Sequence, residues 1–182
     1  LVIGKMFFKT DIRTAGSKNL GGSNAGRVLG AKAGLTVMAL DMLKAIGAIG
    51  LASILPGGET GMIAAGLCAA LGHCYPLFAG FRGGKAVATT YGFFLGMILF
   101  GGYSLWLFFL PLIAAMVILY FTKIVALASI GSVLIATLYH WLNMGFSGMV
   151  CAMLFFDVLI IWRHRANISR IARRQENKIK WM

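Results

Sequence analysis

The feature that most constrains this chain is its succession of unbroken apolar runs. Residues 33–55 read AGLTVMALDMLKAIGAIGLASIL, and further runs fill 60–79, 87–100, 103–121, 124–142 and 145–162. A helix needs about 20 apolar residues to cross the hydrocarbon layer of a bilayer, and several of these runs approach or exceed that length. They are continuously apolar and do not alternate, so a membrane β-barrel fits poorly. Only 12% of the residues are charged and the mean hydropathy is +0.85. A soluble domain carries roughly a quarter of its residues as charges, so this chain could not clothe a water-facing surface. The expected fold is all-α: a polytopic membrane helix bundle, forming one domain over residues 1–182.

Residues 1–8, LVIGKMFF, are also apolar. They are expected to be the tail of a longer first helix, which gives seven spans with the first truncated. Under this threading the basic residues sort by side. Of the seventeen Lys and Arg, all but Lys5 and Lys44 fall on one face, in the loop after the first run, the 80–86 segment, the turn at Lys123 and the tail 163–182. The opposite turns, PGGET, GGYS and NMGFSG, hold none. Positive charge marks the cytoplasmic side, so the loops and the basic tail are expected there. The net charge of +12 is thereby explained by membrane topology before nucleic acid need be invoked. Cys68, Cys74 and Cys151 lack metal-ligand spacing and read as apolar residues.

Three polar segments share the basic face. The first, DIRTAGSKNLGGSNAGR at 11–27, is long for a turn between spans. Its glycines let main-chain N–H groups approach an anion, Ser17, Asn19, Ser23 and Asn24 add neutral donors, and Arg27 adds a bidentate fork for phosphate. Taken alone, it also reads as a flexible cytoplasmic linker. The second, GHCYPLFAGFRGGKAVATTYG at 72–92, sets Gly83 and Gly84 before Lys85. A nucleotide P-loop would want Gly at position 79 and Ser or Thr at 86, where this chain has Ala79 and Ala86, so the expectation is a cradle for a smaller phosphate. His73 could titrate near neutrality. The third, RHRANISRIARRQENK at 163–178, repeats His164, Asn167 and Arg170 every three residues, which a short helix would gather on one face. Its plainer reading is a polybasic tail on anionic lipid. Within the spans, Asp41 and Lys44 stand three apart and are expected to pair, and Asp157 must face protein or water. Ser129 reads first as a hydrogen bonder between helices.

The order of these motifs is specific. A Gly-Ser-x-Asn loop with a following Asn and Arg leads to Gly-His-x-x-Pro-x-Phe, Phe-Arg-Gly-Gly-Lys and Val-Ala-Thr, then to His-Arg-x-Asn-Ile-x-Arg. From about Leu1 to Lys178 the chain resembles the bacterial PlsY family of acyl-phosphate-dependent glycerol-3-phosphate acyltransferases. LDMLK at 40–44 and TKIVALASI at 122–130 stand in the expected places. The resemblance implies transfer of an acyl group from acyl phosphate to the 1-hydroxyl of glycerol 3-phosphate, giving lysophosphatidate and inorganic phosphate in the bacterial inner membrane. No cofactor and no metal are implied, and the enzyme that makes acyl phosphate is a functional partner. Neither His73, His140 nor His164 has Asp five positions on, so the His-x4-Asp motif of other glycerolipid acyltransferases is missing.

Carried over by position, Ser17, Asn19, Asn24 and Arg27 would line the site from the first loop, and His73, Gly83, Gly84 and Lys85 from the second. Ser129 would enter from span six, with His164, Asn167 and Arg170 from the tail. His73, Ser129, His164 and Asn167 are the candidates for catalytic roles, and the others for substrate binding. Lys18, Ala86 and Arg174 stand where the family favours Gly, and Lys123 where it has Arg. The sequence shows no Ser-His-Asp set, so direct attack by the glycerol hydroxyl is expected, with His73 or His164 or a substrate phosphate oxygen taking the proton. The rival readings are a multi-pass transporter of a small anionic metabolite and a catalytically inactive scaffold of the same family.

Overall fold

The computed structural model describes residues 1–179; Lys180 of the expected basic tail, with residues 181 and 182, lies outside the described residues. Among the described residues there is no strand. The helices are α1 (Val2–Phe8), α2 (Gly22–Leu29), α3 (Ala31–Ser53), α4 (Gly58–Cys74), α5 (Val87–Gly101), α6 (Trp106–Thr122), α7 (Val125–Met144), α8 (Gly148–Arg163) and α9 (Arg165–Ala172). Among the described residues, three stretches, Ala31–Ser53, Gly58–Ala79 and Val125–Met144, are long and apolar enough to cross a membrane, and α5 and α6 are shorter apolar helices.

The helices follow the apolar runs, with two local departures. The third run, expected at 60–79, leaves the α-helix after Cys74 and finishes as a single 3-10 turn, Leu77–Ala79. Pro76 explains the break, since it lacks an N–H and drives the preceding residue out of helical geometry. The polar loop expected at 9–27 ends instead in α2, capped by Gly21 in extended conformation.

The chain divides into two compact units, Leu1–Gly96 and Met97–Met182. In the N-terminal unit, α2 doubles back onto α3 through Gly30 (φ 97°). Close approach makes this hairpin: a Cβ on Gly34 would sit 2.6 Å from the Cα of Gly26. The loop before α2 is anchored rather than free. Ile12 and Leu20 are buried with Ala25, Val37 and Ala79, and Leu1, Ile3, Val28 and Leu29 pack around them. Burying an aliphatic side chain stabilises by roughly 1.5–3 kcal/mol, so two such plugs hold the loop down.

In the C-terminal unit, α6 and α7 form an antiparallel pair joined at Lys123, whose left-handed φ of 59° closes α6 by a bond from its N–H to the Leu119 carbonyl (2.8 Å). Ser147 caps α8, accepting from the Val150 N–H. His164 ends α8 and begins α9. The tail then returns, and the Ile179 N–H donates to the Lys123 carbonyl at 2.9 Å.

Candidate active site

The first loop of the N-terminal unit is organised by Asn24, which is buried. Its Nδ2 donates to the carbonyls of Ile12 (3.0 Å), Ala15 (3.1 Å) and Asn19 (3.0 Å), and its Oδ1 accepts the Ser17 N–H at 2.7 Å. All of these contacts lie within residues 12–24, so one amide ties the loop into a knot. Gly16 sits inside it at φ 59°, and a Cβ there would run into Asn24 Oδ1. Asp11 shapes the approach by gripping Arg13, with Nη2 to Oδ2 at 2.6 Å and Nε to Oδ1 at 3.0 Å, and Lys5 stands 3.6 Å away. The hydrogen bonds from Arg13, foremost, hold the Asp11 carboxyl well below the usual carboxylate range.

The second loop rests on the end of α4. The N–H of Gly83 donates to the Cys74 carbonyl (3.0 Å) and that of Gly84 to the His73 carbonyl (3.1 Å), satisfying helix-end acceptors that lack intrahelical partners. Those two N–H groups are therefore engaged with the helix end, where the sequence had offered them to an anion. A Cβ on Gly84 would overlap Nε2 of the His73 ring, so glycine is required for the turn to lie against the imidazole. Asn19 joins the two loops: its Nδ2 reaches the Gly83 carbonyl at 3.4 Å and its Oδ1 accepts the Gly21 N–H at 2.9 Å. Arg27, on the last turn of α2, and Ser17 are exposed, and Lys85 is half-buried.

Asp41 and Lys44 pair as expected, Nζ to Oδ1 at 2.6 Å, and the pair reaches His73, which the sequence did not foretell. Lys44 Nζ lies 2.5 Å from His73 Nδ1, and Asp41 Oδ1 lies 3.2 Å from the same nitrogen.

In the C-terminal unit Asn167 and Arg170 lie on α9, and His164 is its N-cap. His164 is buried and its Nδ1 lies 2.8 Å from the Ile160 carbonyl. A carbonyl only accepts, so Nδ1 carries the proton and the lone pair of the neutral ring is at Nε2. Asn167 and Arg170 share a partner that sequence reasoning missed. Glu176 accepts from Asn167 Nδ2 at Oε1 (2.6 Å) and from Arg170 Nε at Oε2 (2.7 Å). The available signal was that Glu176 is the single acid in the otherwise basic 163–182 segment. Ser129 is buried on α7, where its carbonyl accepts from the Ser132 hydroxyl at 3.1 Å.

Asp157 is buried on α8, and neither of its carboxylate oxygens has a hydrogen-bond partner among the described residues. The hydroxyl of Thr137 on α7 donates instead within its own helix, to the Val133 carbonyl at 3.0 Å. The pairing within the bundle that buried charge calls for is thus met at Asp41 and unmet at Asp157.

Residues 1–174 match the sequence model of the glycerol-3-phosphate acyltransferase family. The glycerol-3-phosphate acyltransferase of Geobacillus kaustophilus (strain HTA426) is 45% identical over 185 residues, covering all of this chain and 88% of the relative. That of Listeria monocytogenes serotype 4a (strain HCC23) is 43% identical over 188 residues, covering 100% and 89%. Among solved structures, PlsY, an integral membrane glycerol 3-phosphate acyltransferase, matches in its glycerol 3-phosphate form with a TM-score of 0.86 at 31% identity, over 97% of this chain and 88% of that one. Its lysophosphatidic acid form matches with a TM-score of 0.80 at 32% identity, over 90% and 81%. These matches set the transporter reading aside. The motif order, the helical architecture and the relatives agree that this chain is an integral membrane acyltransferase belonging to the glycerol-3-phosphate acyltransferase family of the PlsY type.

Proposed function

We propose that the chain transfers an acyl group from acyl phosphate to the 1-hydroxyl of sn-glycerol 3-phosphate, releasing lysophosphatidate and inorganic phosphate. One observation carries the reading: the solved relatives are a glycerol 3-phosphate form and a lysophosphatidic acid form of one enzyme, and those two molecules differ by a single acyl group. Acyl phosphate suits the residues present. It is a mixed anhydride, already activated, and needs no covalent enzyme intermediate. The glycerol oxygen attacks the carbonyl carbon, the carbon–oxygen bond to phosphate breaks, and the electron pair leaves with phosphate. The hydroxyl proton passes to Nε2 of His164 and on to the departing phosphate. His164 is preferred over His73 because its Nδ1 donates to the Ile160 carbonyl, which puts the ring's lone pair at Nε2.

Arg27 and Lys85 are the cations assigned to substrate phosphate, with Ser17 and Asn19 as neutral donors. Asn24 serves the site by organising the loop. In the C-terminal unit Asn167 and Arg170 are substrate-side residues held by Glu176, and Ser129 contributes from α7. The positive-inside distribution supports the bacterial inner membrane, with loops and tail cytoplasmic, and the acyl-phosphate-producing enzyme as functional partner.

The test is turnover by purified protein in lipid. Phosphate release from acyl phosphate should require glycerol 3-phosphate and match lysophosphatidate formed. Arg27→Ala and Lys85→Ala should each lower kcat/KM on the order of a hundredfold, the scale of lost charge stabilisation in a preorganised site. Near-normal turnover in both variants would remove the phosphate assignment, and acyl transfer from acyl-CoA alone would remove the donor.

A further inference from the structure

We propose that Lys44 and Asp41 are positioning residues that fix the tautomer of His73, so that this ring presents an Nε2–H donor to substrate phosphate at the Gly83–Gly84–Lys85 turn. The inference rests on the reading above that this turn receives phosphate.

A lysine ammonium has hydrogens to give and no lone pair to accept with. Its 2.5 Å contact with His73 Nδ1 therefore requires the lone pair there and leaves the ring proton on Nε2. Asp41 holds the ammonium in place from one helical turn away, Nζ to Oδ1 at 2.6 Å. Asp41 Oδ1 also stands 3.2 Å from Nδ1, the longer of the two contacts at that nitrogen, and with the ammonium as donor both are acceptors bridged by one cation. The bridge joins α3 to α4 at the end of α4 from which the turn hangs.

The opposite edge of the ring is where the turn sits. The Nε2 atom lies where a Cβ of Gly84 would be. The main chain of His73 and Cys74 meanwhile takes the N–H groups of Gly84 and Gly83. With those two amides engaged, the turn cannot offer them as an anion nest. The Lys85 ammonium belongs to the turn, and the imidazole Nε2 lies against it from α4. As a neutral ring, imidazole fills the role of donor there only as the Nε2–H tautomer, which Lys44 enforces. His73 is then a donor throughout the reaction and not a proton acceptor.

The experiment has two readouts. The first is independent of activity: nitrogen-15 NMR of histidine-labelled protein in lipid nanodiscs, with His73 assigned by its loss in His73→Asn. The wild type should show His73 neutral, protonated at Nε2 and bare at Nδ1, and Lys44→Met should shift it toward the other tautomer or to a mixture. A protonated Nδ1 in the wild type overturns the proposal. The second is steady-state kinetics. Lys44→Met should raise KM for glycerol 3-phosphate about tenfold with kcat changed less than about twofold, a single charge-assisted bond's worth of binding. Lys44→Arg, which keeps a donor on Nδ1, should recover most of that KM. An unchanged KM, or a loss confined to kcat, overturns the proposal. Should Lys44→Met not fold, Asp41→Asn carries the same expectation in the same direction. A wild-type protein that fails to turn over sinks the proposed function, while the NMR readout still decides the tautomer.

Discussion

Glu176 accepts a hydrogen bond from Asn167 at 2.6 Å and with its second oxygen holds Arg170 at 2.7 Å, so one carboxylate clamps the polar face of α9. The carboxylate is mostly buried while Arg170 is 42% exposed, so solvent screens the charged half and the Asn167 half gains in relative weight. Glu176→Ala should cost about 1–3 kcal/mol, and Glu176→Gln, which keeps an acceptor for Asn167, about half that. Thermal unfolding in detergent measures it. Equal midpoints for wild type and Glu176→Ala would show that the clamp holds nothing.

Lys18, Ala86 and Arg174, which stand where the family favours Gly, have φ of 59°, 63° and 58°. An L side chain in left-handed backbone costs roughly 1 kcal/mol or more, because its Cβ crowds the carbonyl. Glycine gives part of that back as unfolded-chain entropy. Lys18→Gly and Arg174→Gly, at exposed positions, should each stabilise by about 0.5–1 kcal/mol, whereas Ala86→Gly also gives up a fully buried methyl and should be nearly neutral. Lys123 is the internal control. It has the same backbone sign, φ 59°, but its ammonium lies 4.6 Å from the Tyr120 ring centroid. Losing that contact forfeits about 0.5–1 kcal/mol, so Lys123→Gly should be nearly neutral. Four thermal midpoints decide the matter, and a uniform response would contradict the ring contribution.

Asp11 gives stability a defined pH dependence. Its carboxyl is held below the ordinary value of 3.8, first by the Arg13 side-chain hydrogen bond, so the folded state favours the ionised form. A depressed folded value means that the contribution is fully present above the unfolded value and drains away as pH falls through the folded one. Wild type and Asp11→Asn should therefore differ by a constant margin from neutrality down to about pH 4 and converge below it. Midpoints recorded across that range test the sign. A gap that widens on acidification would reverse it.

Much of this molecule is legible in its sequence because hydrophobic length is a coarse signal that survives any local detail. The helices α3 and α5 to α8 lie on the apolar runs for that reason. Local chemistry was less visible. The helix α2 starts in a Gly-rich polar stretch with weak intrinsic helicity, and its existence depends on Gly22 and Gly26 meeting Gly34 on α3. Nothing local encodes that contact. The bond between Lys44 and His73 joins residues 29 positions apart, and only the packing of α3 on α4 creates it. The three-residue rhythm of Asn167 and Arg170 was legible because it is a helix property, whereas their shared partner Glu176 lay beyond the end of that helix. Asn24 illustrates the opposite error of emphasis. An Asn in a Gly-rich polar loop reads as a ligand donor, yet an amide that bonds main-chain carbonyls leaves the same mark on a sequence as one that bonds substrate.

That ambiguity at Asn24 has a direct test. Its Nδ2 faces three carbonyl oxygens and its Oδ1 faces the Ser17 N–H. Asn24→Asp keeps the shape and the acceptor for Ser17 but turns the donating end into a second oxygen, pressed against carbonyls in a buried place. An unpaired buried charge costs about 3–5 kcal/mol, so this substitution should cripple folding. Asn24→Ala leaves the three carbonyls and one N–H unsatisfied without adding repulsion, and should cost less, about 1–3 kcal/mol. An organiser of the loop predicts that order in thermal stability, with KM and kcat worsening together as the loop loosens. A residue whose main duty is to touch substrate predicts the reverse: Asn24→Ala with a wild-type midpoint and a raised KM alone. Thermal midpoints and steady-state kinetics on the two variants separate these outcomes, and the four bonds within residues 12–24 favour the first.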